Sequence, residues 1–205
     1  MKGRADEQSL SAIGIRAVQA ILSERDRFGR VFGVVAQLAE APEKFQLALD
    51  TAAGSRLSSI VVADDGVAER AISYLRENQL GVATFLPLSN IRSRPPKDVS
   101  QFLTESGVIG RALDLVRFEK RFADIFSFVF GATLVVEDIA AARRIGIGSV
   151  RMVTLSGDLI EESGSMKGGW RRRIAGTLGF GHRLANASGA DLLALEAALF
   201  AASNE

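Results

Sequence analysis

Residues 42–86 read PEKFQLALDTAAGSRLSSIVVADDGVAERAISYLRENQLGVATFL, and their periodicity decides the fold class. Pro42 suits the first turn of a helix, where its missing N–H has no carbonyl to reach. Phe45, Ala48, Leu49 and Ala52 then recur at helical spacing as one apolar stripe, and Gly54 ends it. Ile60-Val61-Val62 is the short, continuous apolar run of a buried strand. Asp64 or Asp65 caps a second helix whose inner face is Val67, Ala68, Ala71, Ile72 and Leu75. Val82 to Leu86 makes the next strand. Strands and helices alternating through short connections predict an α/β fold.

Downstream, Arg92-Ser93-Arg94-Pro95-Pro96-Lys97 breaks the pattern as a linker or boundary. A second unit follows. Phe118, Phe122, Ile125, Phe126, Val129 and Phe130 line one side of a deeply buried helix, and Leu134-Val135-Val136 is a strand. Asp138 caps a helix through Arg144, and Val150 to Leu155 is another strand. The predicted architecture is two α/β units joined at Pro95-Pro96. The two ends differ from this middle. Leu10, Ile13, Ala17 and Ala20, and Leu192, Leu195, Leu199 and Ala202, both step by three, four and three residues. Such heptad-type seams are too short to be stable alone. They fit one antiparallel coiled-coil stub or, equally, two unrelated amphipathic surface helices.

Composition narrows the chemistry. A hydrophobic fraction of 47% with 24% charged residues is that of an ordinary soluble globular chain, long enough here for a real core. There is no cysteine, which removes disulfides, thiolate metal sites and a Cys nucleophile. His182 is the single histidine, so zinc sites and Ser/His relays are poorly served. The first 30 residues lack the apolar stretch of a signal peptide, and Phe126 to Val136 is shorter than the roughly 20 residues of a membrane span. An intracellular setting is expected. Net charge is +1, but Arg143 to Arg183 holds eight Lys or Arg against Asp158, Glu161 and Glu162. That segment carries +5 and the remainder −4, which fits either a solvated basic surface or a face that attracts a polyanion.

No phosphate-binding loop is present: Met166-Lys167-Gly168-Gly169 is only superficially like one, and Gly146-Ile147-Gly148 lacks the third glycine of a dinucleotide fingerprint. Asp64-Asp65 and Glu161-Glu162 read as a helix cap and a turn rather than as acid/base pairs. The most informative stretch is Gly157-Asp158-Leu159-Ile160-Glu161-Glu162-Ser163-Gly164-Ser165-Met166-Lys167-Gly168-Gly169. Glycines at fixed offsets among strand-like residues mark bulges, positive-φ turns or close backbone approach. They suit an edge that accepts a second chain by strand addition, or a glycine-rich surface loop.

This Gly-x6-Gly-x3-Gly-Gly spacing resembles the glycine motif of the hinge domain of structural maintenance of chromosomes (SMC) proteins. Residues 33–62, GVVAQLAEAPEKFQLALDTAAGSRLSSIVV, look like the opening strand, helix and strand of that hinge, and 71–88, AISYLRENQLGVATFLPL, are similar to its most recognisable stretch. Residues 107–143 and 151–169 continue the likeness in the same order, so it covers about 30 to 170. Phe28-Gly29-Arg30-Val31-Phe32-Gly33 lacks the histidine that often precedes the second glycine in this family. Ser163 stands where the family usually has the first glycine of a pair.

The resemblance implies an α/β hinge of two subdomains, about 28–97 and 98–182 within 28–182. It would be flanked by coiled-coil helices at 1–27 and 183–205, within a much longer protein. It implies a homodimer whose interface includes Gly157, Gly164, Met166, Gly168 and Gly169. It also implies weak, non-specific DNA binding through Lys167, Arg171, Arg172 and Arg173, with Arg143, Arg144 and Arg183 as secondary contacts. The role is not enzymatic. No cofactor or metal is expected, ATP belonging to a head domain absent here, where kleisin-type subunits would also bind. The setting implied is cytoplasmic and nucleoid-associated, without membrane contact. The alternative is a small α/β enzyme binding a nucleotide or phosphometabolite, for which a phosphate loop, metal ligands and an activated nucleophile are all missing.

Overall fold

Asp64 and Asp138 open two helices in the same way. The Asp64 carboxylate accepts the Val67 N–H at 2.9 Å and the Asp138 carboxylate accepts the Ala141 N–H at 2.7 Å, each satisfying an orphan donor of a first turn. Each cap follows a buried three-residue strand, Ile60–Val62 or Leu134–Val136. The computed structural model of the chain describes residues 14–92 and 97–169. It begins with a helix at 14–23 (α1) and a short turn of helix, Arg25–Phe28 (α2). The first half then runs β1 (Val31–Val34), β2 (Ala39–Glu40), α3 (Glu43–Ala53), β3 (Ile60–Val62), α4 (Asp65–Glu77) and β4 (Phe85–Pro87). The second runs β5 (Val108–Arg111), β6 (Arg117–Phe118), α5 (Ala123–Phe130), β7 (Leu134–Val136), α6 (Ile139–Ile145) and β8 (Met152–Thr154), followed by β9 (Leu159–Ile160) and β10 (Met166–Lys167).

The two halves are the same unit built twice. In each, a bulged first strand pairs antiparallel with the central strand (β1 with β3, β5 with β7), and the central strand pairs parallel with the next (β3 with β4, β7 with β8). Helices α3 and α5 end on glycines of matching conformation, Gly54 at φ 55, ψ −134 and Gly131 at φ 55, ψ −133. The short strands β2 and β6 pair with each other, Ala39 opposite Phe118, and stitch the halves together. The second half adds the β9–β10 hairpin, giving a five-stranded sheet in the order β10-β9-β8-β7-β5 beside the three-stranded β1-β3-β4.

The halves share one core. Phe122, Phe126, Phe130, Leu49, Ile60 and Val34 are all fully buried, and Val135 and Val153 turn the inner face of the second sheet into the same cluster. Leu134, Val136 and Met152 point the other way, where Ala141 and Ala142 of α6 cover them. This is period-2 alternation with both faces buried. Whatever lies at Pro95-Pro96, which falls outside the described residues, the two units do not stand apart.

Several boundaries differ from the sequence reading. Pro42 occupies the N-cap of α3, one place before its first turn. Phe118 lies on β6, not on the helix, and stacks on Phe126 with ring centroids 4.5 Å apart. Ile72 is 41% exposed because α4 meets the sheet through Val67, Ala68, Ala71 and Leu75. The strand expected from Val82 starts only at Phe85, since β3 offers three residues to pair with, and Val82 is 82% exposed. Likewise the strand expected from Val150 to Leu155 contracts to Met152–Thr154.

In α1 the buried positions are Ala17, Val18 and Ile21, while Ala20 is half-buried; Leu10, Ile13 and the whole predicted helix at 183–205 lie outside the described residues. The helical segment is anchored where it enters the sheet. Arg70 donates from Nε and Nη2 to the Phe28 carbonyl at 2.9 and 2.7 Å, and the Tyr74 hydroxyl donates to Glu24 at 2.7 Å. The Tyr74 hydroxyl and then Arg27 hold the Glu24 carboxyl below its ordinary value, and donating that bond raises Tyr74.

Candidate functional site

The glycine-rich segment runs from the end of β8 through the β9–β10 hairpin at the edge of the larger sheet. Its glycines have different tasks. Gly157 is buried, at φ +82, and a Cβ there would lie 3.1 Å from both Leu47 and Thr51 of α3. Its requirement for glycine is thus met within its own chain. Gly164, at φ +84, turns the hairpin, its N–H donating to the Glu161 carbonyl at 2.9 Å. Met166, Lys167, Gly168 and Gly169 are exposed, Met166 at 48%. Among the described residues no strand pairs with β10 on its outer side.

Two residues that sequence reasoning passed over shape this edge. Asp158 accepts the Thr154 hydroxyl at 2.9 Å and the Gly169 N–H at 3.3 Å, and a Cβ on Gly168 would overlap its carboxylate. Thr154 is fully buried at the end of an apolar strand. A buried hydroxyl needs a partner, which was the one available signal. Arg151, counted in the basic segment, is a structural tie instead. It donates to the Ala52 carbonyl and the Thr133 hydroxyl, both at 3.0 Å, and pairs with Glu161 at 3.0 Å while only 21% exposed. It joins α3, β7 and the hairpin.

Of the basic candidates, Lys167 is exposed on β10 and Arg143 and Arg144 are exposed on the last turn of α6, Arg144 donating to the Ser106 carbonyl at 3.1 Å. Arg171, Arg172, Arg173 and Arg183 lie outside the described residues. Asp64 is a cap, Glu161 an ion-pair partner of Arg151, and Glu162 an exposed loop residue. Among the described residues no three His, Cys, Asp or Glu side chains group so as to hold a metal ion, and no helix is long and apolar enough to cross a membrane.

The family model described as the SMC proteins flexible hinge domain matches residues 28–146. A chromosome partition protein Smc of Synechocystis is 47% identical over 147 residues, covering 71% of this chain and 12% of that protein. The corresponding protein of Methanocaldococcus jannaschii is 43% identical over 156 residues, covering 75% and 13%. The chain therefore spans only a small part of the curated relatives it matches. Among solved structures, the Geobacillus stearothermophilus SMC hinge domain, an asymmetric dimer, superposes with a TM-score of 0.71 at 26% identity, covering 98% of this chain and 82% of that one. The Pyrococcus furiosus Smc hinge domain with an extended coiled coil gives 0.69 at 32% identity, covering 95% and 64%. With the doubled α/β unit, the glycine-rich edge and these likenesses together, the chain belongs to the SMC hinge-domain family.

Proposed function

We propose that the chain is the homodimerisation hinge of a chromosome-organising SMC ATPase, joining two coiled-coil arms. The observation that carries this is the shape of the sheet edges. Strands β1 and β5 are edges too, but each carries a bulge, which spoils pairing with another strand. Edges β4 and β10 are regular. Beside β10 stand exposed Gly168 and Gly169, with Met166 on the strand, and just before β4 stands exposed Val82. Pairing β10 of one copy with β4 of the other, twice by symmetry, closes a ring: backbone hydrogen bonds set its register, and the apolar side chains supply most of the association energy. ATP and kleisin-type subunits belong to head domains beyond this chain, in the cytoplasm at the nucleoid.

Light scattering on a sizing column checks the dimer. A mass of twice 21.9 kDa that persists on dilution is expected. A monomer at every concentration would overturn the homodimer and favour the nucleotide-binding alternative, which stabilisation by nucleotides in a thermal-shift screen would then test.

The same reading includes weak DNA binding without sequence choice, supported by exposed Lys167, Arg143 and Arg144 and by the run Arg171-Arg172-Arg173 with Arg183 in the sequence. Holding phosphates releases counterions, so affinity should fall steeply as salt rises. Charge reversal at 171–173 should flatten the salt slope by about one unit for each phosphate no longer held. Binding that is indifferent to salt would sink the phosphate-binding role.

A further inference from the structure

We propose that Asp158 is a positioning residue for the dimer edge, its carboxylate fixing the backbone at 168–169 in the orientation that β10 presents to a second copy of the chain. The inference rests on the dimerisation reading above and names a residue on which that edge depends.

Strand β10 is only two residues long, Met166 opposite Ile160 and Lys167 opposite Leu159. One step further along the antiparallel register, Gly168 faces Asp158, and there the backbone ladder stops. Beyond it a side chain takes over: Asp158 Oδ1 accepts the Gly169 N–H at 3.3 Å. The carboxylate doing this is itself held rigidly. Its Oδ2 accepts the Thr154 hydroxyl at 2.9 Å, the same hydroxyl oxygen accepts the Asp158 N–H at 3.0 Å, and the Thr154 N–H donates to the Asp158 carbonyl at 2.9 Å. Thr154 is fully buried, so this closed set of bonds ties the edge to β8, in the interior of the sheet. Gly168 is glycine because the carboxylate occupies the place of its Cβ. A two-residue edge strand freed from such a tie would have to be ordered at the moment of pairing, and that entropy would be lost from the association.

The test compares Asp158→Ala and Asp158→Asn with the unaltered chain. Dimer dissociation is followed by sedimentation over a dilution series, and amide exchange is read at 166–169 and at 134–136. For Asp158→Ala the dissociation constant should rise about tenfold or more, the scale of one hydrogen bond to a charged group. Exchange should quicken at 168–169 and stay unchanged at 134–136. Asp158→Asn keeps an acceptor for Gly169 but disturbs the Thr154 bond, so it should fall between, and it serves as the test if the alanine variant does not fold. An unchanged dissociation constant in a chain that is dimeric when unaltered overturns the inference alone. Exchange that quickens equally at 134–136 also overturns it, because the residue then serves the fold. If the unaltered chain is monomeric, the dimerisation reading fails first and this inference with it.

Discussion

Gly168→Glu is expected to give a folded chain that runs as a monomer where the unaltered hinge runs as a dimer. The substitution acts twice. Within the chain, a Cβ at 168 overlaps the Asp158 carboxylate and must push it off the Gly169 N–H and the Thr154 hydroxyl. At the edge, a bulky carboxylate is set beside Asp158 on the exposed rim of β10, where like charge repels and a side chain keeps a second backbone away. Residue 168 is exposed and outside both hydrophobic clusters, so the core has no reason to yield. A loss of at least about a hundredfold in dimer affinity, about 2.7 kcal/mol, is expected. Light scattering gives the mass and circular dichroism checks the fold. A dissociation constant that rises less than about tenfold over a dilution series would refute the edge as the interface.

Arg151→Ala should be the costliest polar truncation among the described residues. Its guanidinium serves the Ala52 carbonyl near the end of α3, the Thr133 hydroxyl ahead of β7 and the Glu161 carboxylate at the hairpin. Truncation leaves Thr133, itself buried, without that donor. Charged-donor hydrogen bonds contribute about 1.5–3 kcal/mol each, discounted here because the side chain is partly open to water. A net loss of about 3 kcal/mol is expected, or about 6–12 °C in thermal midpoint for a chain of this size. Arg151→Lys keeps the charge but not the fork, and should recover less than half. Thermal unfolding at one fixed protein concentration measures both, since association also moves the midpoint. A drop below about 2 °C for the alanine variant would show that the tie contributes little.

Much of the fold was legible because its signals are local. Asp64 and Asp138 cap helices, the runs Ile60–Val62 and Leu134–Val136 are buried strands, and Gly54 stops α3, all as periodicity and capping chemistry indicate. What escaped was set by distant neighbours. Val82 belongs to an apolar stretch, but its strand can be no longer than β3 allows. Arg151 looks like any other cation until Ala52, 99 residues away, is folded against it. The duplication of the unit is carried by a few shared residues, Val-Val-x-Asp at 61–64 and 135–138 and a helix-ending glycine at 54 and 131, too sparse among unlike neighbours to stand out before the strands were paired. At the edge, the glycines were legible as a set but their separate tasks were not: Gly157 answers to α3 and Gly168 to Asp158, neighbours that spacing alone cannot specify.

The anchorage at Phe28 has a mechanical side. β1 is an edge strand held to β3 by an antiparallel ladder, and a pull on its leading end would open that ladder one bond at a time, the weakest way to load a sheet. Arg70 intercepts the pull. It grips the Phe28 carbonyl through two bonds, upstream of Gly29 and Arg30, so tension arriving along α1 and α2 would be shared with α4 ahead of β1. A pull on α1 would thus load a helix packed on the sheet as well as the zipper at its border.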